Sequence, residues 1–348
     1  MKKITQLPFD LFSRHYIVAN LVNKAFRKGN EKLTILDLGG YAGQTQHFFV
    51  KDKVTVLDTY DINNQANYIK GDATNLTFQD NSFDIVTNFD VFEHIPRELR
   101  HKFVTEALRV SKRAVILTFP VDHDFNKATS EAENTLDTFF KKLTDSRHPW
   151  LREHIDYGIP TAEEFEQLLN GIGAVFTKIS SNSIVSWKLM QTLNFIGTVD
   201  ELDNRAAKIL NRQYNTHIES IENNIKNGYR AIYIICKDKK YQKPLKENAN
   251  ELYKSSNTGN TINDIEFQKQ ALDSMIMLMA ENMKRFKKTT NDYNRLLQKN
   301  RELEIQTQRL KSELIKLKKS SSWRATAPLR VSKKVLKDIH KIMIRKRS

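Results

Sequence analysis

Cysteine occurs once in the 348 residues, at Cys236, so no internal disulfide can form and a reducing cytoplasm is the expected compartment. No apolar run approaches the roughly 18 residues of a membrane span. The N-terminus, MKKITQLPFDLF, has two lysines but no continuous apolar stretch of the signal-peptide kind. The chain is therefore expected to be soluble, or peripheral to a membrane. Acids are scarce at one end. From Lys316 to Ser348 there are twelve Lys/Arg and a single acid, Asp338, so this segment carries +11 of the formal +15 and leaves +4 for residues 1–315. The basic character belongs to the tail, which removes the main argument for a nucleic-acid-binding body. The remaining composition, 39% apolar, suffices for one substantial core with an appendage, or two small domains.

The most informative stretch is Leu33 to Thr45, LTILDLGGYAGQT. Leu33–Leu38 reads as a buried parallel strand, and Gly39, Gly40 and Gly43 then turn the chain into a helix running through His47 and Phe49. Glycines let backbone N–H groups approach a ligand, and a helix N-terminus beyond them favours acceptors. A strand-like run from Val54 ends in Asp58, 21 residues after Asp37, about the offset at which an acid meets ribose hydroxyls in dinucleotide folds. The spacing G-G-Y-A-G, with Gln44 where a third glycine would stand, departs from the nicotinamide fingerprint.

Further strands are expected at Tyr68–Ala73 (YIKGDA), at Phe83–Thr87 and at Arg113–Phe119, with an acidic loop bearing Asp90, Glu93 and His94 after the fourth. Phe12, Tyr16, Ala19, Val22 and Phe26 predict a helix over 9–27 covering the sheet edge. Residues Arg14, His15 and Tyr16 stand where they would border a ligand, although such residues more often cap and pack. After Pro96, Leu99, Phe103, Ala107 and Val110 share one helical face. Alternating strands and helices imply a parallel sheet whose ligand lies beyond the strands' carboxyl ends, where Asp37, Asp58, Asp72 and the Asn88–His94 loop all fall. Pro120–Leu151 is polar without a clear period and reads as an insertion or lid. His148, Trp150, Glu153, His154 and Tyr157 crowd a Gly/Pro-bounded loop suited to an acceptor, before Thr161 caps another helix. Ala174–Ser183 and Tyr229–Cys236 fit the last two strands, with a helical insertion over 187–227.

Asp37, Gly39 and Gly43 match the first motif, D-x-G-x-G-x-G, of class I S-adenosylmethionine (SAM) methyltransferases, which residues 9–240 resemble; Tyr41 replaces the middle glycine and Gly40 stands one position early. The resemblance implies an α/β, Rossmann-like, seven-stranded, mostly parallel sheet with the last two strands antiparallel. It also implies SAM as cofactor, held by Asp37, Gly39, Gly40, Gly43, Asp58, Asp72, Ala73 and Asn88. Of these, Asp58 falls to the ribose, Asp72 to the adenine amine and Gly39 to the methionine portion. His94 and His154 are the candidate catalytic bases, and His148, Trp150, Glu153 and Tyr157 the candidate acceptor contacts. The H-P-x-L-x-E-H-x-x-x-G-x-P segment resembles methyltransferases of bacterial surface-glycan clusters. A sugar or phosphosugar of a surface polysaccharide (O-antigen or capsule) is thus the expected acceptor, methylated on a hydroxyl or phosphate. The alternatives are a small-molecule or quinone O-methyltransferase, and a non-catalytic methyltransferase-like scaffold. Asp90-x-x-Glu93-His94 also resembles quinone-pathway enzymes in which a divalent metal is implicated, but three ligands on one loop more often form a hydrogen-bonded turn, and no metal is assigned. Nucleic acid is not expected as a partner: no N-P-P-Y/F follows the fourth strand, and Cys236 lies within the last.

Beyond the methyltransferase domain (1–240) a polar linker is expected over 241–264, then a coiled coil over 265–319 and a basic amphipathic tail over 320–348. Leu272, Ile276, Met279, Met283 and Phe286 alternate by four and three. Leu296, Leu303, Leu310 and Leu317 recur every seven, with Asn300 at an a position and a stutter near Tyr293, which favours a parallel two-stranded coil about 69 Å long. SSSWRATAPLR resembles a signature that follows coiled coils in bacterial glycosyltransferases and glycan-modifying enzymes, making such an enzyme a candidate partner beside a second copy of the chain. Val331, Val335, Ile339 and Ile342 form an apolar stripe among lysines, as in helices that dock on anionic membranes, here the inner face.

Overall fold

In the computed structural model the described residues are 4–60, 67–123, 127–198, 201–222, 225–248 and, with gaps at 290, 317, 322–324 and 327–328, 289–337. Seven strands form one sheet in the order β3-β2-β1-β4-β5-β7-β6: β1 Thr34–Leu38, β2 Lys53–Asp58, β3 Tyr68–Lys70, β4 Phe83–Phe89, β5 Ser111–Pro120, β6 Val175–Ser181 and β7 Arg230–Cys236. The pairs β2–β3, β1–β2, β1–β4 and β4–β5 are parallel, whereas β7 runs antiparallel to both β5 and β6. This is the Rossmann-like arrangement expected. The strands are readable because they are buried on both faces: every residue of β7 is buried, as is β1 from Ile35 on.

Chain order reverses between β1 and β4, so the ligand crevice opens there. Leu38 is level with Leu57 on one side and with Asn88 on the other, which sets Gly39, Asp58 and Phe89 side by side at the sheet's carboxyl edge. Helix α1 (Phe9–Leu21) meets this edge where Arg14 pairs with Asp90, and the π-turn Val22–Phe26 that follows it ends near Arg113 at the start of β5. Helix α2 (Arg97–Val110) packs Phe103, Val104, Ala107 and Val110 into the core without exposure, but Leu99, expected on that face, is 37% exposed.

Three local expectations are corrected. The glycine turn enters a 3₁₀ segment, Tyr41–His47, in place of a regular helix. The presumed irregular lid contains α3 (Ala128–Thr144), and the presumed acceptor loop is α4 (Pro149–Tyr157). Helix α3 escapes a periodicity search because Thr129, Glu133 and Asp137 share its buried face with Ala132 and Leu136. Thr161 does cap α5 (Ala162–Gly171), in a reciprocal capping box with Glu164. The insertion is helical, as expected, in α6 (Ile184–Ile196), α7 (Glu201–Thr216) and the single turn α8 (Ile218–Ile221). It is fastened to the N-terminal segment by Asn211 Oδ1, which accepts from Phe9 N at 2.8 Å, and by Asn215 Nδ2, which donates to Leu7 O at 2.8 Å.

Residue 241 opens no irregular linker, since α9 (Lys239–Asn248) follows β7 and buries Tyr241 and Leu245. The apolar run Leu272–Phe286 lies outside the described residues. A second unit, from Met277 on, contains a helix over 291–316 on which Leu296, Leu303 and Leu310 are 62%, 50% and 65% exposed. Among the described residues no helix is long and apolar enough to cross a membrane.

Candidate active site

Gly39 has φ +78° and Gly43 φ +63°, the left-handed region that favours glycine. A Cβ on Gly39 would run into Val91, and one on Gly40 into the Asp37 carboxylate, so both positions exclude a side chain for steric reasons. Gly39 N donates to Leu57 O at 2.7 Å, tying the turn to the end of β2. Asp37, expected among the cofactor contacts, spends its carboxylate inside the protein: one oxygen accepts from Thr45 Oγ1, the other from Thr87 Oγ1 at 3.0 Å. It therefore staples the turn to β4. Burial pushes its carboxyl up to about 6, against the two threonine bonds.

Asp58 is buried at the end of β2, and its Oδ1 accepts from Tyr60 N at 3.1 Å. Asn88, buried at the end of β4, donates Nδ2 to Leu38 O at 2.8 Å, while its Oδ1 has no partner. A buried orphan acceptor at the carboxyl end of a strand suits a ligand bearing N–H or O–H donors. Asp72 is exposed and folds onto its own loop, accepting from Thr74 N at 2.8 Å, and Ala73 packs against the core.

Beyond β4 the chain makes a 3₁₀ turn, Phe92–His94, that faces α4. His154 Nε2 lies 3.2 Å from His94 Nε2 and 3.7 Å from Glu93 Oε1, and His154 Nδ1 bonds Glu133 Oε1 on α3 at 3.0 Å. Tyr229 donates its hydroxyl to the same Glu133 oxygen at 2.6 Å. The two candidate bases are thus brought together, with Glu133 and Tyr229 behind them. Neither oxygen of Glu93, 1% exposed, has a hydrogen-bond partner. Burial, then the neighbouring Asp90, pushes its carboxyl up to about 8. Burial, then His154, pushes His94 down to about 4. Burial opposes charge on His154 too, but the hydrogen bond and charge of Glu133 outweigh it and raise the imidazole to about 9.

Among the acceptor candidates, Trp150, Glu153 and Tyr157 are half exposed on α4, and Glu153 Oε2 comes within 2.9 Å of His94 Nδ1 without hydrogen-bond alignment. His148 instead stacks on Phe195 with ring centres 4.8 Å apart. Asp90 is not grouped with Glu93 and His94. It takes Arg230 Nε at 2.7 Å and pairs with Arg14, and these arginines hold its carboxyl well below the usual range although burial opposes the charge. His15 stacks on Phe89 at 4.0 Å and Tyr16 donates to Glu219 at 2.8 Å, so both pack, the commoner of the two readings. Glu133, Tyr229, Arg230 and Asp10 escaped sequence reasoning. The one available sign was a lone arginine opening the apolar run of β7. Cys236 is buried in that strand, its thiol pushed up to about 12 by burial.

Residues 36–119 match the methyltransferase domain family. No curated protein matches the chain. Similar solved structures include YcgJ of Bacillus subtilis, 18% identical over 64% of this chain and 97% of that one, TM-score 0.36. Another is a possible histamine N-methyltransferase of Thermotoga maritima, 13% identical over 66% and 92%, TM-score 0.39. A third is the plantazolicin methyltransferase BpumL with S-adenosylhomocysteine, 16% identical over 67% and 86%, TM-score 0.43. The segment matched to the family supplies the glycine turn, Asp58, Asn88 and the Glu93–His94 turn, so the chain carries an S-adenosylmethionine-dependent methyltransferase domain.

Proposed function

We propose that the methyl acceptor is a hydroxyl of a sugar or phosphosugar destined for a cell-surface polysaccharide. The cofactor supplies an electrophilic methyl carbon to an in-line nucleophile, leaving the protein to align the acceptor and to deal with its proton. The fit to SAM rests on Asp58 and on the orphaned Asn88 Oδ1, which offer acceptors for its hydroxyl and amine donors. The single observation that carries a hydroxyl acceptor is the Glu93–His94–His154 cluster at the exit of β4. A phosphate or carboxylate acceptor would need no such group. His94 is the member that solvent reaches, its side chain 27% exposed. Half-exposed Trp150 and Tyr157 on the adjoining helix suit stacking on a pyranose ring.

The same reading gives residues 265–319 to a parallel homodimeric coiled coil and the 320–348 tail to an anionic membrane surface or a glycosyltransferase partner. Exposed leucines at 296, 303 and 310 support the first. The test is methyl transfer from labelled SAM to lipid-linked or nucleotide-linked glycans of the host, followed by mass spectrometry. An O-methyl sugar is expected; a methyl found on phosphate, on nitrogen or on no glycan would overturn the reading.

A further inference from the structure

We infer that Glu93, His94 and His154 form a binding site for one divalent transition-metal cation, of the class represented by zinc. The two imidazole Nε2 atoms stand 3.2 Å apart, and Glu93 Oε1 lies 3.7 Å from one of them. Two nitrogens on a tetrahedral zinc at about 2.0–2.1 Å stand roughly 3.3 Å from each other, so the histidine pair already has the required edge. One donor atom from each residue falls within 4.8 Å of the others.

Independent of that spacing, the Glu93 carboxylate is 1% exposed and neither oxygen has a hydrogen-bond partner, which a purely structural turn would not leave in place. The outer partners point the same way. His154 Nδ1 is held by Glu133, itself held by Tyr229, an arrangement that fixes the ring and frees Nε2 for a metal. Two histidines and one carboxylate leave further coordination positions open. Asp90, committed to Arg230 and Arg14, is not a ligand, and His154 comes from α4, so the set cannot be read from the Asp90–His94 loop alone. That the cation meets the acceptor hydroxyl rests on the function proposed above; that it binds does not.

The test uses the full chain, untagged and stripped with EDTA. Zinc is titrated in by calorimetry, and cobalt is followed by its visible bands. One equivalent is expected, with tetrahedral cobalt absorption. His154→Ala and Glu93→Gln should each weaken zinc at least 100-fold, and Glu133→Gln 10–100-fold through ring orientation. His47→Gln, at an exposed site, should bind as wild type does. Retained SAM affinity certifies that a variant is folded. No stoichiometric zinc, or equal zinc affinity in wild type and in the folded His154 and Glu93 variants, would overturn the site and leave a hydrogen-bonded histidine pair. Zinc bound without any SAM binding would sink the cofactor reading while leaving the metal site standing.

Discussion

Arg230, the first residue of β7, closes on Asp90, the residue that follows β4, with Nε to Oδ1 at 2.7 Å across a sequence separation of 140. The same guanidinium reaches Asp10 of α1 at 2.9 Å and Asn182 at 2.5 Å, so one buried side chain ties the sheet to its helical cover. Burial alone would oppose its charge; Asp10 and Asp90 restore it.

Truncating this arginine leaves two carboxylates, Asp10 and Asp90, to share the single charge of Arg14. Arg230→Met is expected to cost about 3–5 kcal/mol, the range for breaking a buried pair by removing one partner. Asp90→Asn in the same chain should recover part of that loss, because the uncompensated charge is then gone. Urea unfolding of the two single variants and the double variant measures the coupling. Additive losses would contradict a shared network.

Cofactor affinity tests the crevice between β1, β2 and β4. Asp58→Ala should weaken SAM 10–100-fold, as expected when hydrogen bonds to a charged group worth about 1.5–3 kcal/mol are removed. Asp72→Ala should weaken it far less, since that carboxylate is occupied by Thr74. Calorimetry with SAM compares the two, and an equal loss would contradict the difference in placement.

What the sequence revealed and what it concealed follow from burial pattern. β1, β2, β4 and β5 are largely buried on both faces and each carries a short apolar, β-branched stretch, so their ends, and with them Asp58 and Asn88, could be located by counting. Helix α3 buries three polar residues among five, so its period is invisible in hydropathy, and Glu133, which orients His154, went unnoticed with it. The His94–His154 meeting spans 60 residues and two elements whose docking no local pattern encodes. Arg230 was hidden differently: a single charge in YRAIYIIC carries no trace of partners at positions 10 and 90.

Membrane docking is tested by flotation with vesicles containing phosphatidylserine or phosphatidylglycerol, comparing the full chain with one ending at Ser320. Each basic residue near an anionic surface contributes about 1 kcal/mol, so the shorter chain should lose flotation and the longer one should lose it in high salt. Equal flotation of both would discard the tail's role.

Asp37 gives the pH dependence a defined sign. Its carboxyl titrates near 6 when folded, against an ordinary value of 3.8, because burial outweighs the bonds from Thr45 and Thr87; Arg14 also favours the charged form and Asp58 disfavours it. The native state therefore holds this proton more tightly than the unfolded chain. Its contribution is fully present below pH 3.8 and is lost as pH rises through about 6. Two pH units correspond to about 3 kcal/mol. Asp37→Asn cannot titrate, and the threonine hydroxyls can rotate to accept from its amide, so the variant lacks this slope. The stability of wild type minus variant, from urea midpoints at pH 4 and pH 7.5, should fall by about 2.5 kcal/mol, part of the loss having already occurred by pH 4. A difference that stays constant or grows with pH would show that the carboxylate is ionised in the folded protein, and that the turn is held by a charged group.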